Sequence, residues 1–166
     1  LFRSVRNGEP LEWVRGGNGF GMLLLFLSSV IRRKPMRQTR GFLGALNKNV
    51  EAVERSTIQV ENCKGPMTLI VGDDDGLWPS QEYADRIAGR LKDLDWPGTV
   101  RIECVPGAGH FVGFPYALPT LPPMRILKPA SALAFDFGGS VAANADAARK
   151  VWRIVQEELS QWSGIV

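Results

Sequence analysis

The chain has 166 residues, of which 45% are hydrophobic and 22% are charged, and its 20 basic and 17 acidic residues give a net charge of +3. This length and composition predict one globular domain with a real core, and the small net charge argues against nucleic acid as a partner. The two cysteines show neither a disulfide framework nor metal-ligand spacing, so we expect no metal site and a reducing, cytoplasmic compartment.

The first part of the chain, residues 1–60, is expected to be a mainly helical segment. Turn-forming residues fill positions 1–20, and the chain opens without a methionine, so we interpret it as the C-terminal part of a longer protein. A helix is predicted over 21–33, before Pro35. Its apolar run, 22–31, is about half of the ~20 residues needed to cross a bilayer, so we predict a core helix and no membrane span. A second helix is predicted over 40–55.

Two apolar runs, at 67–71 and 99–105, have the composition of buried parallel strands. A helix is predicted between them over 80–93, with Tyr83, Ile87 and Leu91 on its buried face. Strands that alternate with helices predict an α/β fold in which helices cover parallel strands. Because two strands alone would leave open apolar edges, we expect an incomplete sheet whose remaining strands lie upstream.

The rest of the chain divides into a turn-rich region and a helix. Residues 106–139 are rich in Gly and Pro and are predicted to form a long loop. The last helix is predicted over 141–161. The residues expected on its buried stripe are Ala148, Trp152, Val155, Leu159 and Trp162.

Each predicted strand runs into a Gly-rich turn with ionisable side chains. The first turn carries Asp73, Asp74 and Asp75, and the second carries His110, the only histidine of the chain. An acid followed by a histidine is the order in which α/β-hydrolases present these members of a nucleophile–His–acid triad. We favour Asp75 as the acid, with Asp73 as the main competitor and Asp74 third. The alternative is that the aspartates solvate a turn or cap a helix, and that His110 is a surface or hydrogen-bonding residue.

The chain offers no nucleophile in the strand–turn–helix context that such a triad requires. Segment 17–21 has the outer glycines of a G-x-S-x-G elbow, but Gly19 occupies the nucleophile's position. Cys63 precedes a strand instead of following one, and Cys104 belongs to the strand before His110. We therefore expect the nucleophile upstream of this chain.

The same residues carry a resemblance to a known family. The chain resembles the C-terminal hydrolase domain of the acyl-CoA thioester hydrolases and bile acid-CoA:amino acid N-acyltransferase, which are α/β-hydrolases near the dienelactone hydrolases. The similar stretches are 6–11, 64–80, 105–111, 114–116 and 138–152.

This resemblance implies that residues 1–166 are the C-terminal portion of one α/β-hydrolase domain. Residues 1–60 would be the helical segment, and 61–166 would hold the acid- and His-bearing strands, the Pro-rich loop and the last helix. By the same match, Asp75 is the acid and His110 the general base. The upstream half of the same domain would then supply the Ser or Cys nucleophile.

The activity implied is hydrolysis of an acyl-CoA thioester, with a small-molecule acyl-CoA or ester as substrate and no cofactor besides the coenzyme A of that substrate. The alternatives are an acyl-CoA:amino acid N-acyltransferase, another esterase or lactone hydrolase, and a truncated, non-catalytic relative that serves as a binding module. An amine acceptor instead of water would distinguish the transferase.

Four further residues are candidates for substrate binding. Trp78 and Tyr116 are candidates to line an acyl pocket above His110. The alternative is that these two side chains only pack against the rest of the protein. Arg32 and Arg33 belong to a basic cluster that is suited to the phosphates of coenzyme A and that also contains Lys34, Arg37 and Arg40. The alternative for these arginines is a solvated helix end that complements the helix dipole.

Overall fold

The computed structural model describes residues 5–6, 9–10, 19–48, 50–112, 126–130 and 133–164. The helices in this part of the chain are α1 Gly19–Arg32, α2 Thr39–Lys48, α3 Val50–Ser56, α4 Ser80–Asp93 and α5 Val141–Ser163, with a 3-10 turn at Val60–Asn62. The strands are β1 Val5–Arg6, β2 Glu9–Pro10, β3 Met67–Gly72, β4 Val100–Val105, β5 Ile126–Ala130 and β6 Leu133–Asp136. Residues 113–125, which include Tyr116, lie outside the described residues.

Strands β3 and β4 form a parallel pair, from Met67 opposite Val100 to Gly72 opposite Val105. Helix α4 joins them in the chain and packs against β3. The two predicted strands and the helix between them are confirmed, because continuous apolar runs that alternate with an amphipathic helix leave few other arrangements. The other two sheets, β1–β2 and β5–β6, are antiparallel, so the described part of the chain is mixed α/β.

The prediction of a loop over 106–139 is wrong where β5 and β6 pair as antiparallel strands. The register shifts within β5 across Pro129, and such irregularities are where strands tolerate a proline. Met36 continues this sheet along β6. Its N–H donates to the carbonyl of Ala134 at 2.8 Å, and its own carbonyl accepts the N–H of Asp136 at 2.9 Å. The segment before α2 is thereby tied to the segment before α5.

Helix α5 contributes one face to the core. The residues of that face are Asn144, Ala147, Val151 and Ile154. Ala147 and Val151 pack with Val105 and Ala108, at and after the end of β4. The predicted stripe is wrong toward its C-terminal end, since Leu159 is 51% exposed and Trp162 is 84% exposed. Small and polar residues pack here, and a pattern that weighs large apolar residues misses them.

Helix α1 was predicted as a core helix, and that prediction is wrong. Six of its large apolar side chains are exposed, from Val30 at 43% to Ile31 at 79%. Hydrophobic composition alone does not bury a helix, because a folded surface always retains much apolar area. In the described part of the chain, no helix is both long enough and apolar enough to cross a membrane.

Candidate active site

Asp75 and His110 come together at the carboxyl-terminal edge of the parallel pair. Asp75 follows β3 and His110 follows β4, so both turns open at the same end of the sheet. The Oδ2 atom of Asp75 lies 3.0 Å from Nδ1 of His110. The Asp75 side chain is 4% exposed and the imidazole is 18% exposed. One carboxylate and one imidazole therefore form a nearly buried hydrogen-bonded pair.

The Asp75 carboxylate is held by donors on both oxygens. Oδ1 accepts the N–H groups of Leu77 at 2.8 Å and Trp78 at 3.0 Å. Oδ2 accepts the hydroxyl of Ser80 in addition to His110. The short turn after Asp75 thus folds back onto its own carboxylate, which restricts the side chain to one orientation.

Burial of Asp75 opposes its ionisation, but these hydrogen bonds outweigh burial and lower the pKa of Asp75 below its ordinary value. Asp75 is therefore an anion at neutral pH. An ionised carboxylate can only accept hydrogen bonds, so Nδ1 of His110 must carry the proton. In a neutral imidazole a proton on Nδ1 leaves the lone pair on Nε2, which is the arrangement needed for a general base.

The other two aspartates of the turn make different contacts. Oδ1 of Asp73 accepts the N–H of Gly107 at 2.6 Å. Asp74 accepts the guanidinium of Arg37 at 2.7 Å and the N–H of Gly139 at 2.8 Å. Of the three alternatives, the carboxylate that contacts the imidazole is that of Asp75. Its catalytic role stays a prediction, as does that of His110.

Three aromatic rings surround the imidazole of His110. Trp78 meets it edge-on with the ring centroids 4.7 Å apart, Phe111 lies at 5.4 Å, and Phe137 stacks at 6.0 Å. The indole of Trp78 is 46% exposed, so it can border a ligand above His110. Its substrate-binding role stays a prediction. Sequence reasoning missed Phe137, because its stretch was predicted as loop.

A third turn, at Gly138 and Gly139, contacts the two turns that carry Asp75 and His110. Both glycines have positive φ angles, of 81° and 68°. Gly138 forms an isolated antiparallel bridge with Asp75. The carbonyl of Phe137 accepts the N–H of His110 at 2.8 Å and that of Gly76 at 3.1 Å. The backbone of this turn thus bonds to the acid turn and to the histidine turn at once.

The remaining substrate-binding candidates are Arg32, Arg33 and Tyr116. Arg32 and Arg33 are exposed at the end of α1, and Tyr116 lies outside the described residues. The member of the basic cluster that contacts the acid turn is Arg37, through both the backbone carbonyl and the side chain of Asp74. Nothing in the sequence distinguished Arg37 from its neighbours.

Comparison with known proteins shows which family the chain resembles. Residues 33–162 match the family described as BAAT / Acyl-CoA thioester hydrolase C terminal. The chain is 34% identical to acyl-coenzyme A thioesterase 2, mitochondrial, of Mus musculus over 103 residues, which are 62% of this chain and 22% of that protein. It is 33% identical to acyl-coenzyme A thioesterase 1 of Mus musculus over 103 residues, 62% of this chain and 24% of that protein.

A third relative is named for a different activity. The chain is 31% identical to acyl-coenzyme A amino acid N-acyltransferase 1 of Mus musculus over 113 residues, 67% of this chain and 24% of that protein. The match thus spans less than a quarter of the length of each of these three relatives. Because the family match extends over most of the 166 residues, the chain belongs to the BAAT / acyl-CoA thioester hydrolase C-terminal family.

Proposed function

We propose that this chain supplies the acid and the general base of a hydrolase that acts on acyl-CoA thioesters. The observation that supports this proposal best is the 3.0 Å contact between Oδ2 of Asp75 and Nδ1 of His110. Two of the relatives named above are acyl-coenzyme A thioesterases, which supports the thioester as the substrate class. We also propose that the fold is the C-terminal portion of an α/β-hydrolase, and that the protein is cytoplasmic.

In the proposed mechanism, Asp75 holds the Nδ1–H of His110 and stabilises the imidazolium that forms during the reaction. A Ser or Cys nucleophile, which we place outside these 166 residues, gives its proton to Nε2 and attacks the thioester carbonyl carbon. The tetrahedral intermediate collapses as the C–S bond breaks. The coenzyme A thiolate leaves with the proton from Nε2, and an acyl-enzyme remains.

Water completes the cycle at the same imidazole. Nε2 takes a proton from the water as its oxygen attacks the acyl-enzyme, and it returns that proton to the departing nucleophile. The products are a carboxylic acid and free coenzyme A. Replacement of the water by an amino acid amine would give an amide instead. The N-acyltransferase relative favours that second candidate function, since its match extends over the largest share of the chain among the three relatives named above.

The decisive experiment measures release of free thiol from acyl-CoA by the full-length protein, including the residues encoded upstream. We expect His110→Ala and Asp75→Asn each to lower kcat by about 10³–10⁴-fold, since a base without its oriented tautomer loses most of its effect. The matched control is Asp73→Asn, two residues away, whose amide oxygen can still accept from Gly107. We expect this variant to keep kcat within a few-fold of wild type.

Each alternative has its own result in this assay. Unchanged turnover in His110→Ala would refute the triad. Binding of acyl-CoA by the wild type without any turnover would identify a binding module. Faster cleavage of simple esters than of thioesters would favour an esterase, and an amide product in the presence of glycine or taurine would favour the transferase.

We extend the proposal to the candidate substrate contacts. Trp78 and Tyr116 are proposed to border the acyl group, and Arg32 and Arg33 to bind the phosphates of coenzyme A. The double variant Arg32→Ala/Arg33→Ala should raise KM for acyl-CoA but leave KM for a short thioester without phosphates unchanged. Equal effects on both substrates would remove these arginines from the binding site.

A further inference from the structure

Asn144 is a fully buried polar residue that the mechanism above does not use. It lies in the first turn of α5, where the hydroxyl of Ser140 caps the helix by accepting the N–H of Ala143 at 3.0 Å. Asn144 is 1% exposed, although Ala147 and Val151 on the same face are apolar. Burial of an amide costs free energy unless its polar atoms are paired, so the partners of Asn144 indicate its role.

Both partners of the Asn144 side chain are backbone groups of the turns that hold the imidazole. Its Oδ1 accepts the N–H of Gly109 at 2.7 Å, and its Nδ2 donates to the carbonyl of Gly138 at 3.4 Å. Gly109 directly precedes His110. Gly138 directly follows Phe137, whose carbonyl accepts the N–H of His110. A single side chain thus connects the histidine turn to the turn behind it.

The space around these contacts is closed. A Cβ on Gly109 would collide with the backbone of Gly138, and a Cβ on Gly139 would collide with Oδ1 of Asn144. Asp74 completes the arrangement, because its carboxylate accepts the N–H of Gly139 and its own N–H donates to the carbonyl of Ala108. Displacement of the Asn144 amide would therefore move the backbone on either side of His110.

We propose that Asn144 is a positioning residue that keeps the imidazole of His110 on Asp75 by clamping Gly109 against the Gly138–Gly139 turn. The predicted effect on turnover rests on the proposed function, in which His110 is the general base. The effect on the orientation of the imidazole does not. The two can therefore be tested separately.

The first test observes the imidazole directly. His110 is the only histidine of the chain, so a ¹⁵N-histidine-labelled sample of the 166-residue chain has one Nδ1–H signal. We expect this signal to be downfield and protected in wild type, and lost in Asp75→Asn. We expect Asn144→Leu, which keeps the number and branching of the side-chain heavy atoms but removes both polar atoms, to broaden or shift the signal toward that of Asp75→Asn. Asn144→Asp, which keeps the acceptor for Gly109 but loses the donor to Gly138, should also shift the signal, because one of the two contacts of the clamp is lost.

The control separates positioning from stability. Val151→Ala removes apolar volume from the same face of α5 about two turns away, and should lower the melting temperature without changing the His110 signal. Should Asn144→Leu not fold, Asn144→Ser answers the same question, because its hydroxyl is too short to hold Gly109 at the same distance. A His110 signal that Asn144→Leu or Asn144→Ser alters no more than Val151→Ala does would overturn the proposal.

The second test uses turnover by the full-length protein. We expect Asn144→Leu to lower kcat by about 10–100-fold with KM within about twofold, as for a small misplacement of a catalytic group. If wild type has no turnover but the His110 signal still responds to Asn144, the proposed function fails and the clamp stands. If wild type turns over and Asn144→Leu matches Val151→Ala in kcat and signal, the clamp fails and the function stands.

Discussion

Helix α1 and the corner around His110 (the turns that carry Asp75, His110 and Gly138, together with Asn144) both depart from the usual pattern, in which apolar side chains are buried and polar side chains are exposed. Helix α1 is apolar but exposed, and the corner is polar but buried. Most large apolar side chains of α1 face outward, with Ile31 79% exposed and Phe20 65% exposed. At the corner, Asp75 is 7% exposed and Asn144 is 1% exposed. The polar side chains of Asp75 and Asn144 are thus more buried than the large apolar side chains of Ile31 and Phe20.

The difference follows from how each kind of group is stabilised. A polar group can be buried when its polar atoms have hydrogen-bond partners, and the side-chain atoms of Asp75 and Asn144 have such partners. Apolar side chains gain free energy only from surfaces against which they pack, and the described residues supply α1 with little such surface. Directional bonds, not apolar composition, therefore determine the buried structure at the corner.

The largest effect should follow from a methyl group added at the third turn. Gly138 has a φ of 81°, and a Cβ there would collide with the carbonyl of Asp74. We expect Gly138→Ala to lower the free energy of unfolding by about 3 kcal/mol or more, measured by chemical denaturation. The control is Gly89→Ala in α4, where a Cβ meets nothing within 4 Å. That change should stabilise by roughly 0.5–1 kcal/mol, since it removes a helical glycine. Equal outcomes for the two variants would mean that the corner is not closely packed.

A smaller effect should follow from loss of one donor to the buried carboxylate. Ser80→Ala removes the hydroxyl that donates to Oδ2 of Asp75. Hydrogen bonds to a charged group contribute about 1.5–3 kcal/mol, so we expect a loss of that size in the free energy of unfolding at pH 7. Ser80→Thr keeps the hydroxyl and should retain most of the stability. If Thr and Ala destabilise equally, the hydroxyl is not the stabilising group.

The difference in free energy of unfolding between wild type and Ser80→Ala should depend on pH, and it should decrease in acid. The pKa of Asp75 is lowered in the folded chain, and the Ser80 hydroxyl is one cause. The resulting stability is fully present above the unfolded pKa, about 3.9, and is lost as pH falls through the lower folded value. Wild type and Ser80→Ala should therefore converge in free energy of unfolding in acid. The control is Leu91→Ala, whose cost comes from apolar burial and should be nearly independent of pH. If the difference in free energy of unfolding between wild type and Ser80→Ala stayed constant as the pH fell, the Ser80 hydroxyl would not be stabilising an ionised Asp75.

The sequence alone predicts the parallel strands, and it favours Asp75 over Asp73 and Asp74 as the partner of His110. Two continuous apolar runs with an amphipathic helix between them predict β3, α4 and β4, and the ends of parallel strands meet at one edge. Ser80, Arg37 and Asn144 could not be predicted as parts of the corner. Arg37 lies 37 residues from Asp74, and Asn144 lies 35 residues from Gly109, so only the folded backbone brings these groups together. For β5 and β6 the prolines misled the prediction, because edge strands and irregular registers tolerate them.

The smallest effect is expected on α1, where the apolar run led to the wrong prediction of a core helix. Ile31 is 79% exposed, so Ile31→Lys in the 166-residue chain should change the free energy of unfolding by about 0.5 kcal/mol or less. Leu91, which is 2% exposed in α4, is the matched reference, and Leu91→Ala should cost about 2–5 kcal/mol by denaturation. A cost for Ile31→Lys that approached the cost of Leu91→Ala would place Ile31 in a buried environment. The contrast between an exposed apolar helix and a buried polar corner would then be lost.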